Sequence, residues 1–169
     1  MLATQFRRPM AFLRFSKWIV VTNNGMVPGR ALELRIMNEL GDRRPVLDAR
    51  VSLVLSWTDR VTGQREHHAL SILEEKHPEL PTVVTVTYPI SRRSLLAHHS
   101  WDDLMARNTQ LWCFLRGFDA LTSREITLSH QYDMDRFLIS ADFEHDQLDS
   151  TLRNFDTVRA VLPINRMAI

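Results

Sequence analysis

Along most of this chain hydrophobic and polar residues alternate with a period of two rather than 3.6. Between Ala31 and Met37, Leu32, Leu34 and Ile36 fall on one side and Glu33 and Arg35 on the other, as in a half-buried strand. Val46–Trp57 repeats the pattern, with Leu47, Ala49, Val51, Leu53 and Leu55 on one face and Asp48, Arg50, Ser52 and Ser56 on the other. Phe12–Thr22, His67–Leu73, Thr82–Thr87, Gln110–Leu115, Glu125–Tyr132 and Leu138–Phe143 read as further strands, rich in β-branched, aromatic or alternating residues. Ser150–Val161 fits a strand or a short helix equally well. Asn23-Asn24-Gly25 and Thr62-Gly63 are turn signals, since Asn and Gly tolerate positive φ. Glu74–Pro81 reads as a proline-bounded connector. Pro89, with no N–H to give a ladder, is expected to end the strand before it.

One helix interrupts this pattern. After the basic, hydroxyl-rich connector Ser91–Ser94, Ser100 stands where an N-cap would, with Asp102 and Asp103 in the first turn beside the free N–H groups. Many short strands separated by turn signals, with one helix, predict an all-β sandwich rather than an α/β fold. No internal repeat, low-complexity run or composition shift marks a domain boundary.

Composition narrows the function classes. The 169 residues are 44% hydrophobic and 24% charged, which suits one soluble globular domain with a real core. A net charge of +1 supplies no global field for nucleic acid. No apolar run reaches the ~18–20 residues that cross a bilayer, and the N-terminus lacks the apolar centre of a signal peptide. Cys113, between Trp112 and Phe114, has no partner in the chain and reads as a small buried hydrophobe.

Candidate chemistry is sparse. His67-His68 and His98-His99 are adjacent pairs, and on a strand such neighbours point to opposite faces, so neither is a natural chelate. No H-x-H or H-E-x-x-H spacing occurs, and Ser94 and the other serines lack a G-x-S-x-G context. The reading is of a non-enzyme with no cofactor and no metal. The imidazoles titrate near neutrality, which leaves pH sensing at an interface open. Trp18, Trp57, Trp101 and Trp112 read as core and interface anchors.

A set of local patterns resembles the C-terminal cytoplasmic domain of inward-rectifier potassium channels, the prokaryotic branch above all. Phe6-Arg7-Arg8-Pro9 followed by Phe15-Ser16 is similar to F-x-R-P…F-S, Arg35…Asn38 to R-x-x-N, and Leu47-Asp48-Ala49-Arg50-Val51 to E-A-x-V. His77-Pro78-Glu79-Leu80 stands for S-P-x-F, Val86-Thr87-Tyr88-Pro89-Ile90 for V-x-H-P-I, and Ser94-Leu95-Leu96 for S-P-L. Gly117 and His130-Gln131-Tyr132 keep the spacing of G…H-x-Y. The order and near-constant spacing of these patterns, from Gln5 to about Phe155, carry the resemblance. It departs at Thr127-Leu128-Ser129, where the family has H-x-R, and at Val84, where it has tryptophan. The two transmembrane helices, the pore loop and any T-V-G-Y-G-like filter are also missing, so this polypeptide alone cannot select potassium.

The resemblance implies an immunoglobulin-like β-sandwich over residues 10–160, with a lead-in at 1–9 matching the end of an inner pore helix and a tail at 161–169. It implies a homotetrameric ring on the cytoplasmic face of the plasma membrane, extending the ion path and coupling ligand or lipid contact to gating. Asp48 matches the family's pore-facing acid, and four copies around an axis would hold potassium ions or polyamines. Asp119, one residue from the family's second acidic ring, is the other candidate lining residue. Arg7, Arg8, Arg14 and Lys17 form a basic patch for anionic lipid headgroups, although Met10 and Ala11 replace the lysines of lipid-gated animal channels. The alternative is a free-standing cytoplasmic β-sandwich, serving as an adaptor or small-ligand module.

Overall fold

The computed structural model describes residues 12–22, 29–139, 142–143 and 158–159. In chain order the elements are β1 (Leu13–Phe15), β2 (Ile19–Thr22), β3 (Arg30–Asn38), β4 (Val46–Thr58), β5 (Arg65–Leu70), β6 (Lys76–Glu79) and β7 (Val83–Ile90). There follow α1 (Trp101–Ala106), β8 (Gln110–Asp119), β9 (Arg124–Asp133), β10 (Phe137–Ile139), β11 (Asp142–Phe143) and β12 (Val158–Arg159). Single 3-10 turns lie at Gly41–Arg43, Leu95–His98 and Met134–Arg136.

Two five-stranded sheets form an all-β sandwich. In the first, β3 pairs with β7 along one edge and with β1 and then β2 along the other, and β10 adds in parallel to β2. In the second, β4 pairs with β5 and β6 along one edge and with β8 along the other, and β9 closes the far side. Leu32, Leu34 and Ile36 of β3 share one buried core with Val51, Leu53 and Leu55 of β4 and with Leu111, Cys113 and Leu115 of β8. Period-two alternation produces this directly, because successive side chains on a strand leave opposite faces.

Tyr132 of β9 ties the layers together. Its hydroxyl donates to the buried Ser16 carbonyl at 2.8 Å. Ser16 sits at the break between β1 and β2, where its hydroxyl donates to the Trp18 carbonyl and accepts from the Arg35 N–H. The predicted strand Phe12–Thr22 is therefore two strands meeting at a pinned kink. Asn38 closes β3 in a similar way: its amide donates to the carbonyls of Gly41 and Arg44 and accepts from the N–H groups of Leu40 and Gly41.

Several predicted boundaries move. Pro89 lies inside β7, opposite Ala31, rather than ending the strand. β7 lies at the rim of its sheet, where a missing N–H costs no ladder bond. The connector Glu74–Pro81 contains a strand, β6, held by β4. The strand expected at His67–Leu73 starts earlier and stops at Leu70, and β8 runs on past Gly117 to Asp119. His98 and His99 lie on a turn, not a strand. The region expected as one strand at Leu138–Phe143 holds the end of β10 and the short β11. Of Ser150–Val161, only β12 falls among the described residues. The helix forms as the sequence predicts: Ser100 Oγ accepts from the Asp103 N–H at 3.1 Å, and Trp101 and Leu104 are buried beneath it.

Candidate functional site

The strongest departure from regular pairing is on β4. Leu47 faces Phe118 and Arg50 faces Arg116, so β4 spends an extra residue between these pairs, forming a bulge. Asp48 takes up the slack at φ 47°, a left-handed conformation that aspartate tolerates better than most residues. The bulge corrects the sequence reading in one respect. Val46 and Ala49 both face the core, and Leu47, expected inside, is exposed.

Gly117 of β8 makes the bulge possible. A Cβ there would lie 2.8 Å from Val46 Cγ1 and 3.0 Å from the Leu47 carbonyl oxygen. The glycine that fits the family's spacing is thus a point of close backbone approach.

Around the bulge lies an open cavity of about 610 Å³, lined among others by Asp48, Arg50, Lys76, Arg116, Phe118 and Glu125. Its polar groups come from four strands. Register sets Arg50 opposite Lys76 on one side and opposite Arg116 on the other. Three cations therefore form a row across β6, β4 and β8, and none of them has an ion pair with a described carboxylate. Glu125 stands opposite Phe118 on β9. His77 also lines the cavity; it is buried, and its Nε2 has no hydrogen-bond partner among the described residues. A buried polar group left so costs about 1–3 kcal/mol.

Asp48 and Asp119 have different surroundings. Asp48 is exposed at the cavity. The Asp119 side chain is fully enclosed, which corrects its reading as a residue lining an open path. Arg44 donates to its Oδ2 from Nη2 at 2.6 Å and from Nε at 3.1 Å, Thr122 Oγ1 donates at 2.8 Å, and the Leu121 N–H donates to Oδ1. The Arg44 hydrogen bonds, helped by Thr122 and Leu121, override burial and hold this carboxyl down at about 2. Arg44 also lies 4.3 Å from the centroid of the Phe12 ring. Asp119 is a structural anchor.

Arg7 and Arg8 of the basic patch lie outside the described residues. Arg14 is exposed and bonds Glu39 at 2.8 Å, and the Lys17 ammonium lies 5.3 Å from the Trp18 ring centroid. Cys113 is fully buried, and burial pushes its thiol far up.

A second polar group surrounds Trp57, whose indole N–H donates to Glu66 at 2.8 Å. His68 and His99 pack on the ring at 4.6 and 4.8 Å. His99 Nδ1 bonds Asp103 at 3.0 Å, and Arg107 and Arg60 meet the same carboxylate. Burial raises the Asp103 carboxyl, but the His99 and Arg107 hydrogen bonds and the Arg60 charge outweigh it and leave it below its ordinary value. This group pins α1 and the loop before it to the end of β4. Among the described residues no three His, Cys, Asp or Glu side chains could together hold a metal ion.

Sequence reasoning reached Asp48 but not the row beside it. Arg50 was legible as outward-facing, whereas Lys76 lay in a presumed connector and Arg116 beyond a presumed strand end. No helix among the described residues is long and apolar enough to cross a membrane. Comparison with protein-family models and with curated proteins gave no match.

Proposed function

We propose that the chain is a binding and assembly domain of the inward-rectifier cytoplasmic type: a sandwich whose copies close into a fourfold ring and pass ligand or lipid contact on to a pore. The observation that carries this reading is Asp48, an acid held outward at a bulge with exposed Leu47 and Phe118 beside it. Apolar side chains next to a polar rim are what a contact between copies needs, and a heterologous contact repeated around an axis closes a ring. The residues of the resemblance also sit at joints: Ser16 meets Tyr132, Asn38 organises the turn after β3, and Gly117 admits the bulge. Asp48 supplies the acidic fringe of the axis, and Arg14 and Lys17 face the lipid. Binding rather than catalysis is the activity.

Light scattering on the purified chain tests the ring. A tetramer at high concentration, with spermine binding weakened by Asp48→Asn, supports it. A monomer throughout, with no spermine binding, overturns it for this chain. The free-standing alternative draws on a different observation, the lined cavity beside the cation row, which one copy holds complete.

A further inference from the structure

Among the described residues, the row Lys76–Arg50–Arg116 has no partner that explains it. Directly opposed side chains on neighbouring strands have Cβ atoms about 4.5–5.5 Å apart, and like charges so placed repel. Here the repulsion occurs twice in succession, centred on Arg50. No described carboxylate pairs with any of the three. Elsewhere the chain gives several of its cations acids: Arg14 has Glu39, Arg44 has Asp119, and Arg60 and Arg107 share Asp103. This unpaired row coincides with a cavity and with a bulge that shapes its wall.

We infer that this cavity is a binding site for a small oxyanion, a carboxylate or a phosphate group, held by Arg50, Lys76 and Arg116. Two guanidinium forks and an ammonium suit such a group, because charge-assisted hydrogen bonds to oxyanions are short and strong. Asp48 and Glu125, which line the same cavity, limit the charge of the ligand. They repel an extended polyanion such as nucleic acid, and they leave room for one compact anionic group. Phe118 and Pro78 offer apolar surface to the rest of an organic ligand. A single copy contains every residue named, so the inference stands or falls apart from the ring.

The test is amide NMR of the whole chain at low ionic strength, titrated separately with inorganic phosphate, succinate and, as control, sodium chloride at matched ionic strength. Saturable shifts centred on Arg50, Lys76 and Gly117 are expected with phosphate or succinate, and the tighter of the two identifies the anion class. Arg50→Gln and Arg116→Gln, both at exposed positions, should each weaken binding at least tenfold with the remaining spectrum unchanged. Asp48→Asn should tighten it several-fold. Shifts that match the chloride control, or that spread equally over Arg92, Arg93 and Arg124, overturn the site. So does binding that survives the double variant.

Discussion

Arg44 and Asp119, 75 residues apart in sequence, meet at 2.6 Å where the turn after β3 crosses the end of β8. The pair fastens the β3–β4 connection to the hairpin between β8 and β9. Asn38 holds the Arg44 carbonyl and Thr122 shares the carboxylate, so both partners are held in place by further bonds. Arg44→Met should destabilise the fold by about 2–4 kcal/mol, since it strands an enclosed carboxylate. Asp119→Asn, which keeps hydrogen-bonding capacity, should cost less. Urea unfolding at pH 7 measures both, and equal losses would remove the charge argument.

The same pair sets an acid limb to stability. The Asp119 carboxyl sits at about 2 in the fold, below its ordinary value of 3.8. A depressed folded value means that the contribution is whole above about pH 4 and fades as pH falls toward 2. The native chain should therefore lose roughly 2 kcal/mol more than Asp119→Asn across that window. Parallel acid-unfolding curves would contradict the assignment.

Tyr132→Phe removes one hydroxyl and leaves the Ser16 carbonyl buried without its donor. About 1–2 kcal/mol should be lost. Because Ser16 pins the kink between β1 and β2, hydrogen exchange should quicken in those strands ahead of β8. A uniform change across the molecule would show that the bond does not act locally.

Gly117→Ala places a methyl group 2.8 Å from Val46 Cγ1 and 3.0 Å from a backbone oxygen. Overpacking of this kind costs about 1–3 kcal/mol. The bulge must shift to make room, so the amides of Leu47–Arg50 should move in NMR spectra even where the rest of the sheet holds. An unperturbed bulge would show that β8 absorbs the methyl group instead.

The two layers were legible in the sequence because alternation reports burial directly, as Leu32, Leu34 and Ile36 and the run from Ala49 to Leu55 illustrate. The α1 cap was legible because Ser100 and Asp103 are neighbours in the chain. Register was not. Nothing local says that Arg50 will face Lys76 and Arg116, since that depends on how β6 and β8 slide along β4. Nor does alternation reveal an extra residue: Leu47 keeps its place in the pattern and loses its place in the core. Asp119 misled for the same reason. Its partner, Arg44, comes from another part of the chain, and only the folded turn shows that the acid is enclosed.

The left-handed backbone at position 48 separates two demands that usually fall on one atom. The bend needs only a residue at ease with φ near 47°, which glycine and asparagine also satisfy. The negative charge belongs to the carboxylate alone. Variation at this position could therefore retune what the surface attracts while the scaffold stays as it is, whereas a β-branched replacement would lose the charge and strain the bend as well. Asp48→Gly should melt within a few degrees of the native chain, and Asp48→Val, forced into a conformation that costs about 1–2 kcal/mol, should melt lower.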